Sequence, residues 1–111
     1  MDKAILVGTK DEPRLILELQ ELCDSIGIET ITTFEVNITK PTAAWLIGSG
    51  KAEEIIETAL DFEADMIVFN QELSPSQQRN WERASGLCVI DRQEVILEIF
   101  AQRASTREAA L

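Results

Sequence analysis

The chain has 111 residues, 45% of them apolar and 27% charged, with a net charge of −10; this suits one globular domain that buries roughly two-thirds of its unfolded surface. No run approaches the roughly 18 apolar residues of a membrane span and no signal-peptide pattern opens the chain, so a cytoplasmic location is expected. The negative balance argues against nonspecific coating of nucleic acid, although Arg79, Arg83, Arg92, Arg103 and Arg107 gather in the last third.

In chain order, Lys3 to Gly8 is a nearly continuous apolar run, which predicts a strand buried on both faces. A turn over Thr9 to Pro13 leads to Leu15, Ile16, Leu19, Leu22, Cys23 and Ile26 at helical spacing, closed by Gly27 as a left-handed cap. Ile28 to Val36, rich in threonine and isoleucine, reads as a less buried strand at a sheet edge. The stretch 37–44 is irregular, with Lys40-Pro41 marking a loop, and Trp45-Leu46-Ile47 reads as a brief extended run.

A helix is predicted from Ala52, with Ile55, Ile56, Ala59 and Leu60 on one face, followed by a buried strand at Met66 to Phe69. Ser74-Pro75-Ser76-Gln77 is a strong helix start, with a serine cap, proline at the first position and glutamine three residues on. Leu87 to Ile90 is the last strand. Asp91 can cap the final helix with Glu94 as its reciprocal partner, and Val95, Ile96, Ile99 and Phe100 predict one buried face. Strands alternating with helices imply a single α/β domain: a small parallel four-stranded sheet with helices on both faces.

Ligands of such sheets favour the crevice beyond the carboxyl ends of the strands. Gly48-Ser49-Gly50-Lys51 is the obvious anion candidate there, with Asn70, Asp91 and Arg92 at other strand tips. It is not a Walker loop, because Trp45 and Ala52 stand where that motif needs Gly and Ser or Thr. The alternative reading is a glycine-rich turn that caps a helix. The helix after Ser74 carries one large apolar residue, Trp81; Gln77, Gln78, Arg79, Asn80 and Arg83 are then either solvated or a surface for phosphate and sugar groups.

With no histidine, a Ser/His/Asp or Cys/His set is ruled out, and a transition-metal site finds no support. Glu53, Glu54 and Glu57 fall in helix registers that normally face water. Cys23 and Cys88 lie in separate apolar patterns, so each is expected to be a small core residue in a reducing compartment.

Three segments in order, WLIGSGKAEE at 45–54, ELSPSQQRNWE at 72–82 and VIDRQEVILEIFAQRASTREAAL at 89–111, resemble the N-terminal domain of the HflX family of ribosome-associated GTPases. The resemblance covers essentially the whole chain. It departs at Trp45, where the family often has tyrosine.

What the resemblance implies is an N-terminal α/β domain over 1–111 that, in the family, precedes a helical segment and a GTPase domain. GTP and magnesium belong to that GTPase domain, and no cofactor is expected in this chain, which is expected to be noncatalytic by itself. The expected role is to help place the GTPase on the large ribosomal subunit, in ribosome splitting or rescue, with Gln77, Gln78, Arg79, Asn80, Arg83, Arg103 and Arg107 as candidate contacts to ribosomal RNA. The alternative is an accessory ATP- or GTP-binding or weak nucleotidase module using the Gly48–Lys51 loop and Asn70, Asp91 and Arg92.

Overall fold

The computed structural model describes residues 2–38 and 41–110, with side chains described as far as 104. The elements run β1 (Asp2–Thr9), α1 (Pro13–Ser25), β2 (Ile28–Val36), α2 (Ser49–Asp61), β3 (Met66–Phe69), α3 (Pro75–Ser85), β4 (Cys88–Asp91) and α4 (Arg92–Ala110). All neighbouring strands are parallel, in the order β2-β1-β3-β4. The expected doubly wound sheet is present, and the threonine-rich strand is at its edge.

Alternation along the central strands explains the two layers. Ile5 and Val7 of β1, with Ile67 and Phe69 of β3, pack with Ala52 and Ile55 of α2 and Trp81 of α3. Ala4 and Leu6, with Met66 and Val68, face Leu19 and Cys23 of α1 and Val95 of α4. Both central strands are therefore apolar wherever they are buried, from Ala4 to Gly8 in β1 and throughout β3, as burial on both faces requires.

Helix α1 ends one residue before the expected cap region, and Gly27 adopts φ +83° just beyond it. At the carboxyl end of β1, Gly8 is buried, and a Cβ there would clash with Ile16 Cγ1 and Cδ1. Glycine is what lets α1 close on the tip of β1.

Several local expectations need correction. Residues 45–47 are not extended: Thr42 and Leu46 exchange backbone hydrogen bonds, Thr42 Oγ1 accepts from the Trp45 N–H, and Leu46 takes φ +68°. Helix α2 begins at Ser49 rather than Ala52, because Gly48, with extended ψ, already occupies the N-cap position. Cys88 is exposed at the start of β4, while Cys23 is buried as expected. On α4, Val95 is buried, but Phe100 is 61% exposed and so is not part of the expected buried face. It lines the groove between α1 and α4 instead, while its neighbour Ile99 packs on the sheet side. The loop residue Lys40 lies outside the described residues.

Gly8→Ala is expected to destabilise the domain by about 1–3 kcal/mol, because the buried Ile16 side chain must shift to admit one methyl group. A urea titration checks this; an unchanged midpoint would mean that α1 does not sit this close.

Candidate functional site

Every helix of this fold starts at the sheet's carboxyl edge, so strand tips and helix N-termini share one end of the molecule. The topological switch lies between β1 and β3, where the Asn70 N–H donates to Val7 O (2.8 Å) and continues the ladder past Phe69.

Among the nucleotide candidates, Asn70 and Arg92 are brought together. Arg92 Nη1 donates to Asn70 Oδ1 at 3.0 Å, and Nη2 reaches Glu18 Oε2 at 3.2 Å, so one guanidinium ties α4 to the tip of β3 and to α1. Asp91 is buried and committed to the backbone: Oδ2 accepts from the Leu73 N–H (3.0 Å) and Oδ1 from the Glu94 N–H (3.2 Å). The expected cap is thus formed. Its reciprocal half is not, because Glu94 Oε1 accepts from Gln78 Nε2 at 2.9 Å instead of bonding the Asp91 backbone.

Gly48, Ser49 and Gly50 are exposed at the start of α2, and no side chain caps that helix. Lys51 is half-buried; its ammonium is 3.0 Å from Glu54 Oε2 and 5.4 Å above the Phe34 ring. Close to the switch, Gln71 Oε1 is buried and has no partner among the described residues.

The single large apolar residue of α3 leaves two readings open in the sequence, a solvated helix or a surface for phosphate and sugar groups. The capping box over Ser74 and Gln77 is present as read, and Trp81 is fully buried, with edge contacts to Trp45 (centroids 5.7 Å apart) and Phe69 (4.9 Å). The amides, however, turn inward. Gln77 Nε2 donates to Thr42 O (2.9 Å), Asn80 Nδ2 to Ala44 O (3.1 Å) and Trp81 Nε1 to Trp45 O (3.0 Å). Gln78 Nε2 donates to Val89 O (2.7 Å) as well as to Glu94.

Sequence reasoning missed this clasp on the 42–45 loop. Its signal was there in the spacing of Gln77, Asn80 and Trp81, at i, i+3 and i+4 on one helical face.

With those amides engaged, Arg79 and Arg83 are the exposed cations of α3. Arg92 and Arg103 lie elsewhere, lining a groove of about 470 Å³ between α1 and α4 with Leu22, Ile99 and Phe100. The side chain of Arg107 lies outside the described residues. Neither thiol is poised for chemistry. Burial, with Asp24 nearby, pushes Cys23 up to about 11, and burial followed by the charges of Glu82, Glu94 and Asp2 raises Cys88.

These features define a doubly wound α/β module, with polar and cationic groups placed at its helix starts and along α3. The chain belongs to the family described as GTP-binding GTPase N-terminal, whose model matches residues 14–101, and it corresponds to the N-terminal domain of HflX proteins.

It is 44% identical over 118 residues to the GTPase HflX of Akkermansia muciniphila, a match that spans 100% of this chain and 27% of that protein. Identity to the GTPase HflX of Escherichia coli is 40% over 94 residues, spanning 85% and 22%. The chain thus spans about a quarter of the length of these curated relatives.

The fold matches a crystal structure of SsGBP in complex with GDP, with a TM-score of 0.73 at 23% identity, covering 92% of this chain and 29% of that one. A GTP-binding protein from Sulfolobus solfataricus in complex with GDP matches with a TM-score of 0.69 at 24% identity, covering 91% and 30%. No helix among the described residues is long and apolar enough to cross a membrane.

Proposed function

We propose that this domain is a docking module that helps place an HflX-type GTPase on the large ribosomal subunit, in ribosome splitting or rescue, and that GTP hydrolysis with magnesium belongs to the rest of the longer protein. The observation that carries the reading is the division of labour on α3. Its amides lock the helix to the domain, and Arg79 and Arg83 stand exposed on that fixed frame. A rigid helix offering two guanidinium groups suits phosphate contacts, because little side-chain and backbone freedom is lost on binding. The net charge of −10 keeps such contacts local, opposing nonspecific coating of RNA.

Arg79→Glu with Arg83→Glu, in the longer protein, is expected to weaken association with purified large subunits roughly tenfold and to flatten its salt dependence by about two phosphate contacts. Unchanged co-sedimentation at fixed salt would contradict the reading.

A second reading draws support from the exposed first turn of α2, whose amides no side chain caps. There, Gly48 to Lys51 would receive the phosphates of ATP or GTP. Titration of either nucleotide into the 1–111 chain distinguishes the two. A saturable response lost in Lys51→Ala supports the nucleotide site, and silence at millimolar nucleotide removes it.

A further inference from the structure

The far end of α2 carries a different chemistry. Leu60 is 51% exposed and Phe62 is 58% exposed, two residues apart where the helix stops. Around them Glu57, Asp61, Glu63 and Asp65 are all exposed, and no Lys or Arg occurs between Ala52 and Gln78.

The stop itself is well built. The Glu63 N–H donates to Leu60 O (3.1 Å) and the Ala64 N–H to Ala59 O (2.8 Å), the paired bonds of a Schellman ending, and Ala59 and Ala64 are buried beneath it. The residue in the left-handed position of such a motif is usually glycine; here it is Glu63, at φ +54°. An acid thus occupies the position that best suits glycine, next in sequence to Phe62, on a turn whose N–H groups from Phe62 to Asp65 are all bonded. Next to it, Asp65 is held in place by Lys3, whose N–H donates to Asp65 Oδ2 at 2.9 Å.

We propose that Leu60 and Phe62, with Glu57, Asp61 and Glu63 around them, form a docking surface for a basic protein segment that carries an apolar side chain between Lys or Arg residues. Charge complementarity selects this occupant. The same acids repel RNA phosphate and an anionic bilayer. A second copy of the chain would bring equal acids face to face, at a net charge of −10 per molecule. The surface is independent of the arginines of α3 and of the ribosome reading above.

The test uses the 1–111 chain labelled for amide NMR and three probes: a Lys-Leu-Ala-Lys repeat peptide, the same peptide with Ser for Leu, and a short single-stranded RNA. The expected result is saturable shifts confined to residues 57–65 with the first peptide, roughly tenfold weaker binding of the Ser peptide, and no shift with RNA. Leu60→Ser with Phe62→Ser should weaken the first peptide about tenfold while leaving the rest of the spectrum in place. Glu63→Gly should lower affinity while raising the thermal midpoint, since glycine relieves the left-handed turn; a residue with a purely structural role would not move the two in opposite directions. Shifts spread over all acidic surfaces, an equal response to the Ser peptide, a response to RNA, or undiminished binding by the double variant would each overturn the proposal.

Discussion

Helix α3 is fastened to the domain by the buried Trp81 ring and by three side-chain donors that reach for one loop. The carbonyls of Thr42, Ala44 and Trp45 belong to a turn that has left the sheet, and a partly buried carbonyl without a partner is costly. Gln77, Asn80 and Trp81 supply those partners from a single helical face, while the Trp81 ring fills the space between Trp45 and Phe69. Because the bonds lie in a poorly solvated seam, each is stronger than it would be in water; losing the Asn80 or Trp81 donor would strand a carbonyl, whereas Thr42 O keeps the Leu46 N–H. The loop so gripped ends at Gly48, and α2 begins there. The position of α2 relative to the sheet is therefore tied to the amides of α3.

This arrangement leaves the surface divided by charge. Helix α2 and its terminal turn carry acids alone beyond Lys51, whereas Arg79 and Arg83 lie on α3 and Arg92 and Arg103 along the groove between α1 and α4. The net charge of −10 is thus unevenly distributed, and a negative domain can still offer guanidinium groups to an anionic partner at short range. Arg92 belongs to the frame rather than to that surface, since its two nitrogens join Asn70 and Glu18 across three elements.

Much of the fold was legible because it rests on periodicity. The unbroken apolar runs in β1 and β3 announce burial on both faces, and Ser74-Pro75-Ser76-Gln77 announces a helix start through its own side chains. The 45–47 segment misled because its hydrophobic residues serve a turn, with Leu46 in the left-handed region, a state no residue type there signals. Phe100 continued a correct helical pattern but lies on the side of α4 that borders the α1 groove, so period alone could not reveal its exposure. Glu94 had the right spacing for a reciprocal cap, but the longer reach of Gln78 gave its carboxylate another partner. At the candidate site, residue types named the polar groups of α3, yet only tertiary contacts separate those that hold the loop from those that face solvent.

Hydrogen exchange at the Trp81 indole N–H tests the clasp most directly, because that proton is both the donor to Trp45 O and the centre of the packing under α3. The account predicts that it exchanges as slowly as the backbone amides of β1 and β3, through global opening of the domain. Exchange at the rate of a solvent-exposed indole, with the strand amides still protected, would contradict it.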